Sequence, residues 1–402
     1  MDGVSAIRAR AAAVREAGAV LRAASLTERS AWLAQSAEEL ERRAYESSDT
    51  LAESTGLSAP MVKWASHTTL GTVRRDKLLS LANEPRKTHG GDHQPIDMLS
   101  VILAGNVFTA SVRAIFVPLL FGVPVLVKTS SKEASFPGML RAALRRMDAR
   151  LGAAMDLVSF AGGNTEREAA LVEHAEAVAV YGSDETIAAM TSRVGAATLI
   201  AHGHGVSVAY CGAAAQVDES IARTSSALSL DICAYDQRGC LSPQIIFVEE
   251  TPERSPMELA RRLAETDLTQ SSEALPRGPL PPSVGAEQAQ WRGVAEVEGE
   301  LVTGNEHAIA VRAVPPIRWS PGYRNITLAP VSGLDEAFDT MKSFARHLKC
   351  VGADEPSLAE VATRLEQGAS FSAYACALGQ MQTPSLDAPA DGKEIWRGLL
   401  RD

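Results

Sequence analysis

The chain has 402 residues, 46% hydrophobic and 22% charged, with a formal net charge of −10. This is globular composition with room for two or three domains, and it excludes a fibrous or disordered chain. Acidic residues outnumber basic ones, and the basic residues are interrupted by apolar positions at helical spacing, so nucleic acid is not an expected partner. The N-terminus interleaves charge with alanine and lacks the apolar core of a signal peptide. The apolar stretch from Ala114 to Val127 is broken by Pro118, Gly122 and Pro124 and is too short to span a bilayer. A cytoplasmic protein without a membrane span is expected. Five cysteines (Cys211, Cys233, Cys240, Cys350, Cys376), odd in number and without a CxxC pair, suggest neither a disulfide framework nor a metal site.

Residues 5 to about 84 read as mostly helix, with Leu21, Leu33 and Leu40 on apolar stripes and Ser25 to Glu28 resembling a capping box. The stretch "NEPRKTHGGDHQP" ends that pattern. From Met98, short β-branched runs alternate with helices: "MLSVILAG", a helix over about 111–120, "PVLVKTS", a helix near 137–150, "MDLVSFAG", helices near 165–173 and 184–193 flanking "AVAVYGS", and then "TLIAHGHGVSVAYCG". Such alternation predicts a parallel sheet covered by helices, because parallel neighbours need crossovers. A helix over about 220–228 leads through a polar turn into a strand at 244–248, followed by the helix "SPMELARRLAETDL". Residues 271–290, rich in Pro, Gly and Ser, predict a surface loop. Strand-like "AIAVRAV" and "NITLAPV", the helix "LDEAFDTMKSFARHL" and a tail complete the chain.

Open α/β sheets bind ligands at the carboxyl ends of their strands, which singles out three turns. In "VILAGNVF", Gly105 and Asn106 follow an apolar strand, and an asparagine beside a thiol can donate to a developing oxyanion. "PVLVKTSS" places Lys128 where a strand yields to Ser130 and Ser131, which suits ribose or phosphate. "VAVYGSDETI" ends a strand at Gly182 and Ser183 and starts a helix at Asp184, a turn able to approach a pyrophosphate. No GxGxxG fingerprint occurs at a strand-to-helix turn. In "AYDQRGCLSPQIIFVEE", Cys240 sits in a polar turn ahead of the buried run rather than inside it, and loops of this kind carry chemistry.

Taken in order, these segments resemble the aldehyde dehydrogenase superfamily and, within it, the bioluminescence-type fatty acyl-CoA reductases. The resemblance is clearest over residues 98–250 and looser over 326–392. It implies an α/β fold with a Rossmann-type parallel-sheet cofactor domain (residues 1–212, with the N-terminal helices) and an α/β catalytic domain (213–402, with the tail). It further implies Cys240 as nucleophile, Asn106 at the oxyanion site, Lys128, Ser130 and Ser131 at the adenosine ribose, Gly182 and Ser183 beside the diphosphate, and Gly203 in "AHGHGVS" facing the nicotinamide. Where hydrolytic relatives carry a glutamate base this chain has Ala201, so deacylation by activated water is disfavoured. His202 and His204 are candidates for proton transfer, His204 being preferred because His202 is expected on the strand's far face. Arg238, two residues before the thiol, is read equally as a charge that lowers the thiol's pKa and as a surface arginine. The tail keeps Met381, Pro384, Asp391 and Gly392 but lacks the family's histidines, so the acyl pocket is expected to differ from a long-chain site.

The function implied is reduction of an acyl thioester, from coenzyme A or a carrier protein, to an aldehyde by way of an acyl-cysteine. Serines and Lys132 after Lys128 favour NADPH, whereas Glu133 would restore NADH if it entered the ribose site. A homo-oligomer is expected. Two other readings stand beside this one: a nucleotide-independent cysteine acyltransferase or thioesterase, and a non-catalytic acyl- or partner-binding homologue.

Overall fold

The computed structural model describes residues 2–91 and 93–401. Five helices open the chain: α1 (Val4–Ala23), α2 (Leu26–Glu46), α3 (Ser48–Thr55), α4 (Ala59–Leu70) and α5 (Arg75–His89). The Ser25 side chain accepts the Glu28 N–H while Glu28 accepts the Ser25 N–H, so the capping box that starts α2 is complete. Leu21, Leu33 and Leu40 are buried, as their spacing predicts.

Strand and helix then alternate. The chain passes through β1 (Gln94–Pro95), β2 (Leu99–Ile102), α6 (Ala110–Leu120), β3 (Val125–Lys128), α7 (Ser135–Met147), the one-turn α8 (Ala149–Ala153), β4 (Met155–Val158), α9 (Thr165–Val172), β5 (Ala177–Tyr181), α10 (Asp184–Thr191) and β6 (Thr198–His202). It continues through β7 (Val206–Cys211), α11 (Asp218–Cys233), β8 (Pro243–Glu249), α12 (Pro256–Arg262), α13 (Leu268–Ala274), α14 (Pro282–Glu298), β9 (Glu300–Thr303), β10 (Ala308–Val311) and β11 (Asn325–Val331). It closes with α15 (Leu334–Lys342), β12 (Leu348–Ala353), α16 (Glu355–Gln367), β13 (Tyr374–Ala377) and β14 (Leu400–Arg401).

Among the described residues the strands form a five-stranded sheet, β4-β3-β2-β5-β6, a seven-stranded sheet, β13-β12-β7-β8-β11-β10-β9, and a ribbon, β1-β14. The first sheet is parallel throughout, and the second is parallel except for β9. The central strands β2 and β3 are buried at every position, which is why they read as continuous apolar runs rather than alternating ones. From β2 the chain winds outward through β3 and β4 and then returns to place β5 on the other side of β2. The order therefore reverses between β2 and β5, and a crevice opens at their carboxyl ends, beside Asn106 and Gly182.

Three expectations are corrected. "TLIAHGHGVSVAYCG" is two strands in two sheets, so the change of sheet falls at 203–205, ahead of the boundary expected after 212. Residues 271–290 are largely helical: α14 starts at a proline, whose fixed φ suits the first helical position, and Gln288, Trp291 and Ala295 are buried along one side. The tail does not stay with the second sheet, because Trp396 and Leu399 pack into the core of the N-terminal helices and β14 pairs with β1. No helix among the described residues is long and apolar enough to cross a membrane.

Candidate active site

The loop that delivers Cys240 has an unusual backbone. Tyr235, Asp236 and Gln237 have φ of 52°, 53° and 58°, three successive non-glycine residues in the left-handed region. Each costs about 1–3 kcal/mol and persists only where its surroundings enforce it. Here they do. The Asp236 carboxylate, fully buried, accepts from Arg324 Nη2 at 2.8 Å and from the Gly278 N–H at 3.0 Å. Arg324, equally buried, also donates to Leu275 O and Ser272 Oγ. Gln237 Nε2 donates to Pro243 O at 2.9 Å, and the Tyr235 hydroxyl sits 2.7 Å from Thr109 Oγ1 on the helical side of the crevice.

These anchors set Cys240 at the amino end of β8, facing the carboxyl ends of the first sheet across a cleft of about 1340 Å³. The cleft brings together Cys240, Asn106, His204, Ser130, Ser131, Gly182, Ser183 and Gly203 from the sequence-predicted set. Cys240 is exposed to it, whereas Cys211, Cys233 and Cys350 are buried. Asn106 Nδ2 donates to Arg238 O at 3.3 Å, which ties the end of β2 to the nucleophile loop. Ser207 Oγ donates to Cys240 O at 2.8 Å.

Although open to the cleft, the thiol is crowded by protein. Loss of solvent pushes its pKa up, Lys349 opposes this, Asp391 adds to it, and Arg113 opposes it more weakly. Arg238 is not among these influences. Its guanidinium donates to Thr55 O at 3.1 Å and to Tyr235 O, so it is a strut between the loop and α3.

The oriented imidazole is His202, not His204. His202 Nδ1 lies 2.7 Å from Asp391 Oδ2, and its ring stacks on Tyr181 with centroids 4.3 Å apart. Lys349 Nζ donates to the other oxygen of Asp391. Burial pushes the Asp391 carboxyl up, but the His202 hydrogen bond and the Lys349 ammonium outweigh it and hold the group below the usual carboxylate range. His204 is exposed, and only its backbone N–H is engaged, by Asp184 Oδ1 at 3.2 Å. Lys349 reaches this cluster by crossing Gly205, where a Cβ would stand 2.2 Å from Lys349 Cε. Neither Lys349 nor the role of Asp391 is visible in the sequence, because both approach from strands and turns far along the chain. Arg113 was findable: it is a lone charge inside an otherwise apolar helix.

On the cofactor side, the residues fit a nicotinamide dinucleotide. A Cβ at Gly105 would meet Ser130 Oγ at 2.5 Å, so the turns after β2 and β3 touch. Ser183 caps α10 and leaves the Gly182 backbone facing the crevice. Lys128 departs from expectation. It is 7% exposed, donates to Thr129 O and lies 5.3 Å over the Phe160 ring, away from the cleft lining. Glu133 also turns inward, accepting the Phe136 N–H at 2.8 Å to cap α7. Among the described residues no His, Cys, Asp and Glu group is arranged to hold a metal ion.

A family model described as acyl-CoA reductase (LuxC) matches residues 31–401. Among solved structures, aldehyde dehydrogenase 21 from Physcomitrella patens, in complex with the reaction product succinate, is 15% identical with a TM-score of 0.73 over 100% of this chain and 90% of that one. A salicylaldehyde dehydrogenase from Pseudomonas putida G7 is 17% identical with a TM-score of 0.69 over 93% and 82%. An NAD-dependent aldehyde dehydrogenase from Sinorhizobium meliloti is 15% identical with a TM-score of 0.70 over 93% and 80%. At these identities the likeness is one of fold. No curated protein matches.

Proposed function

The chain belongs to the acyl-CoA reductase (LuxC) family, and on that footing we propose that it reduces an acyl thioester to an aldehyde through an acyl group carried on Cys240, using NADPH at least as well as NADH. The observation that carries this reading is the exposed Cys240 thiol, set by a pinned left-handed loop opposite Asn106, in a cleft whose carboxylate beside it, Asp391, is already taken by Lys349 and His202. A hydrolase would need a free base to activate water; this arrangement supports retaining the acyl group for reduction.

Cys240 Sγ attacks the thioester carbonyl carbon, and the Asn106 amide and the Cys240 backbone N–H donate to the oxygen that gains charge. His202 Nε2, the ring nitrogen that Asp391 leaves free, takes the thiol proton as Sγ attacks and returns it to the departing thiolate as the carbon–sulfur bond to the carrier breaks. A nicotinamide cofactor, when bound, supplies the hydride. Ser130, Ser131, Gly182, Ser183 and Gly203 would hold it; as the oxyanion left by hydride addition collapses to the aldehyde, the electron pair of the broken C–S bond returns to Sγ, which regains a proton from solvent through His202. The inward-turned Glu133 supports NADPH, since no carboxylate from that turn opposes a 2′-phosphate.

Intact-mass measurement after incubation with acyl-CoA thioesters tests the first step. An acyl adduct is expected on the unmodified chain, on Cys211→Ala and on Cys233→Ala, and none on Cys240→Ala; undiminished labelling of Cys240→Ala overturns the assignment. A tenfold or greater preference for NADH in kcat/KM, about 1.4 kcal/mol, would reject the cofactor assignment. Turnover with a thiol acceptor and no nucleotide would establish the transferase instead.

A further inference from the structure

α6 is apolar and buried from Ser111 to Leu120 except at Arg113, which lines the catalytic cleft on the same side as Asn106, Val107 and Ala110. Its Nη2 donates to Ala388 O in the tail, and its Nε is buried without a hydrogen-bond partner. Among the described residues no carboxylate lies within ion-pair distance of it: Asp387 acts only through space, and Asp391 is occupied by Lys349 and His202. Tyr374, a close electrostatic neighbour of Arg113, points a buried hydroxyl that lies by the Cys350 thiol and makes no hydrogen bond of ordinary geometry. A guanidinium stays protonated even when desolvated, so a half-buried one without a counter-charge is costly unless an anion joins it.

In the proposed reaction the oxyanion is met by Asn106 and the Cys240 N–H, the departing thiolate by His202, and the phosphates of a coenzyme A carrier lie a pantetheine arm away from the thioester, whereas Arg113 is near enough to act on the Cys240 thiol. On the proposed reading the cofactor's ribose is met by the turn after β3 and its diphosphate by the turn after β5, not by the α6, β13 and tail segments that meet at Arg113. The Cys240 thiolate has Lys349 as its stronger electrostatic partner. What remains to meet Arg113 is a carboxylate carried on the acyl group itself. We propose that Arg113, with Tyr374 as a neutral donor, is a carboxylate subsite at the acyl end of the cleft, so that the substrate is the mono-thioester of a dicarboxylic acid rather than a long apolar chain. The proposal rests on the reading of Cys240 as the acyl acceptor. A bidentate guanidinium–carboxylate pair supplies the missing charge, and the Tyr374 hydroxyl gains an acceptor. Because Arg113 lines the same cleft as Cys240 and is near enough to act on its thiol, the chain between the two carbonyl groups is short.

The test compares kcat/KM for succinyl-CoA and glutaryl-CoA with that for the neutral isosteres butyryl-CoA and valeryl-CoA, in the full chain and in Arg113→Met. The diacid thioesters are expected to exceed their neutral partners by about 30-fold or more, as a desolvated charge pair requires. In Arg113→Met this ratio is expected to collapse toward unity, with Arg113→Lys intermediate because it keeps the charge but loses the fork. The pH profile of iodoacetamide alkylation of Cys240 should move by far less than the ratio does, which separates acyl recognition from tuning of the thiol. Equal or better use of the neutral thioesters by the unmodified chain overturns the subsite, with no variant needed, and leaves Cys240 standing. An unchanged ratio in Arg113→Met also overturns it. Failure of every thioester to acylate Cys240 overturns both readings.

Discussion

Asp236, four residues before the nucleophile, is fully buried and does not line the cleft. Its pairing with Arg324 fixes a backbone that would otherwise relax out of the left-handed region, so the role of Asp236 is architectural. Removing one partner leaves the other charge buried and alone. Asp236→Asn is therefore expected to lower stability by about 3–5 kcal/mol in urea denaturation, and the double variant with Arg324→Met to recover part of that loss. At Asp391 the expected effects run in opposite directions. Asp391→Asn removes a negative charge that raises the Cys240 pKa, so the midpoint of iodoacetamide alkylation should move to lower pH. The same change frees the His202 ring and leaves Lys349 unpaired, so kcat should fall by roughly 10²-fold despite the more reactive thiol. A kcat that rises with the acidic shift would show that thiolate fraction alone governs the rate.

At the level of elements, α11 joins the nucleophile loop to the tail. Near its end, Asp231 is fully buried and accepts the Gly379 N–H at 2.6 Å and the Met381 N–H at 3.0 Å. Burial pushes its carboxyl up to about 7, and the backbone amides of Gly379, Met381 and Gln382 only partly offset this. Because the folded-state value lies above the ordinary value near 4, this group's contribution is fully present below pH 4 and is lost as pH rises through about 7. The loss is limited to about 1.4 kcal/mol per unit of separation. Melting temperature should accordingly decline between pH 5 and pH 8 in the unmodified chain, and Asp231→Asn should flatten that decline while lowering stability overall through the lost acceptor. A decline of equal slope in Asp231→Asn would assign the pH dependence to other groups.

At the scale of the whole molecule, the site is a seam. It lies between the carboxyl ends of one sheet and the amino ends of another, and three stretches cross it: the 203–205 turn, the struts from the nucleophile loop to α3 and α6, and the tail. The tail is clasped by Trp396 in the helical core and by Arg401, whose guanidinium meets Glu176 at 2.6 Å and Asp97 at 3.2 Å. Trp396→Ala should cost about 3–5 kcal/mol from the cavity it leaves. Because Asp391 lies on the same tail, kcat should fall as well, although Trp396 does not line the cleft. A stability loss with undiminished kcat would show that Asp391 is held by its local contacts alone.

Alternation of β-branched runs with helices was enough to give the parallel sheets, and turn chemistry was enough to place Asn106, Gly182, Ser183 and Cys240 at strand ends, because those signals are local in the chain. Local signals also misled. Pro, Gly and Ser over 271–290 read as loop although Pro282 starts a helix, and the strand-end position of Lys128 gave no sign that its ammonium lies over Phe160, away from the cleft lining. Which histidine is oriented, which cations face the thiol, and where the tail goes were decided by tertiary structure alone. His202, Lys349 and Asp391 meet from three distant segments, and side-chain spacing along one strand carries no information about a neighbour that arrives from another sheet.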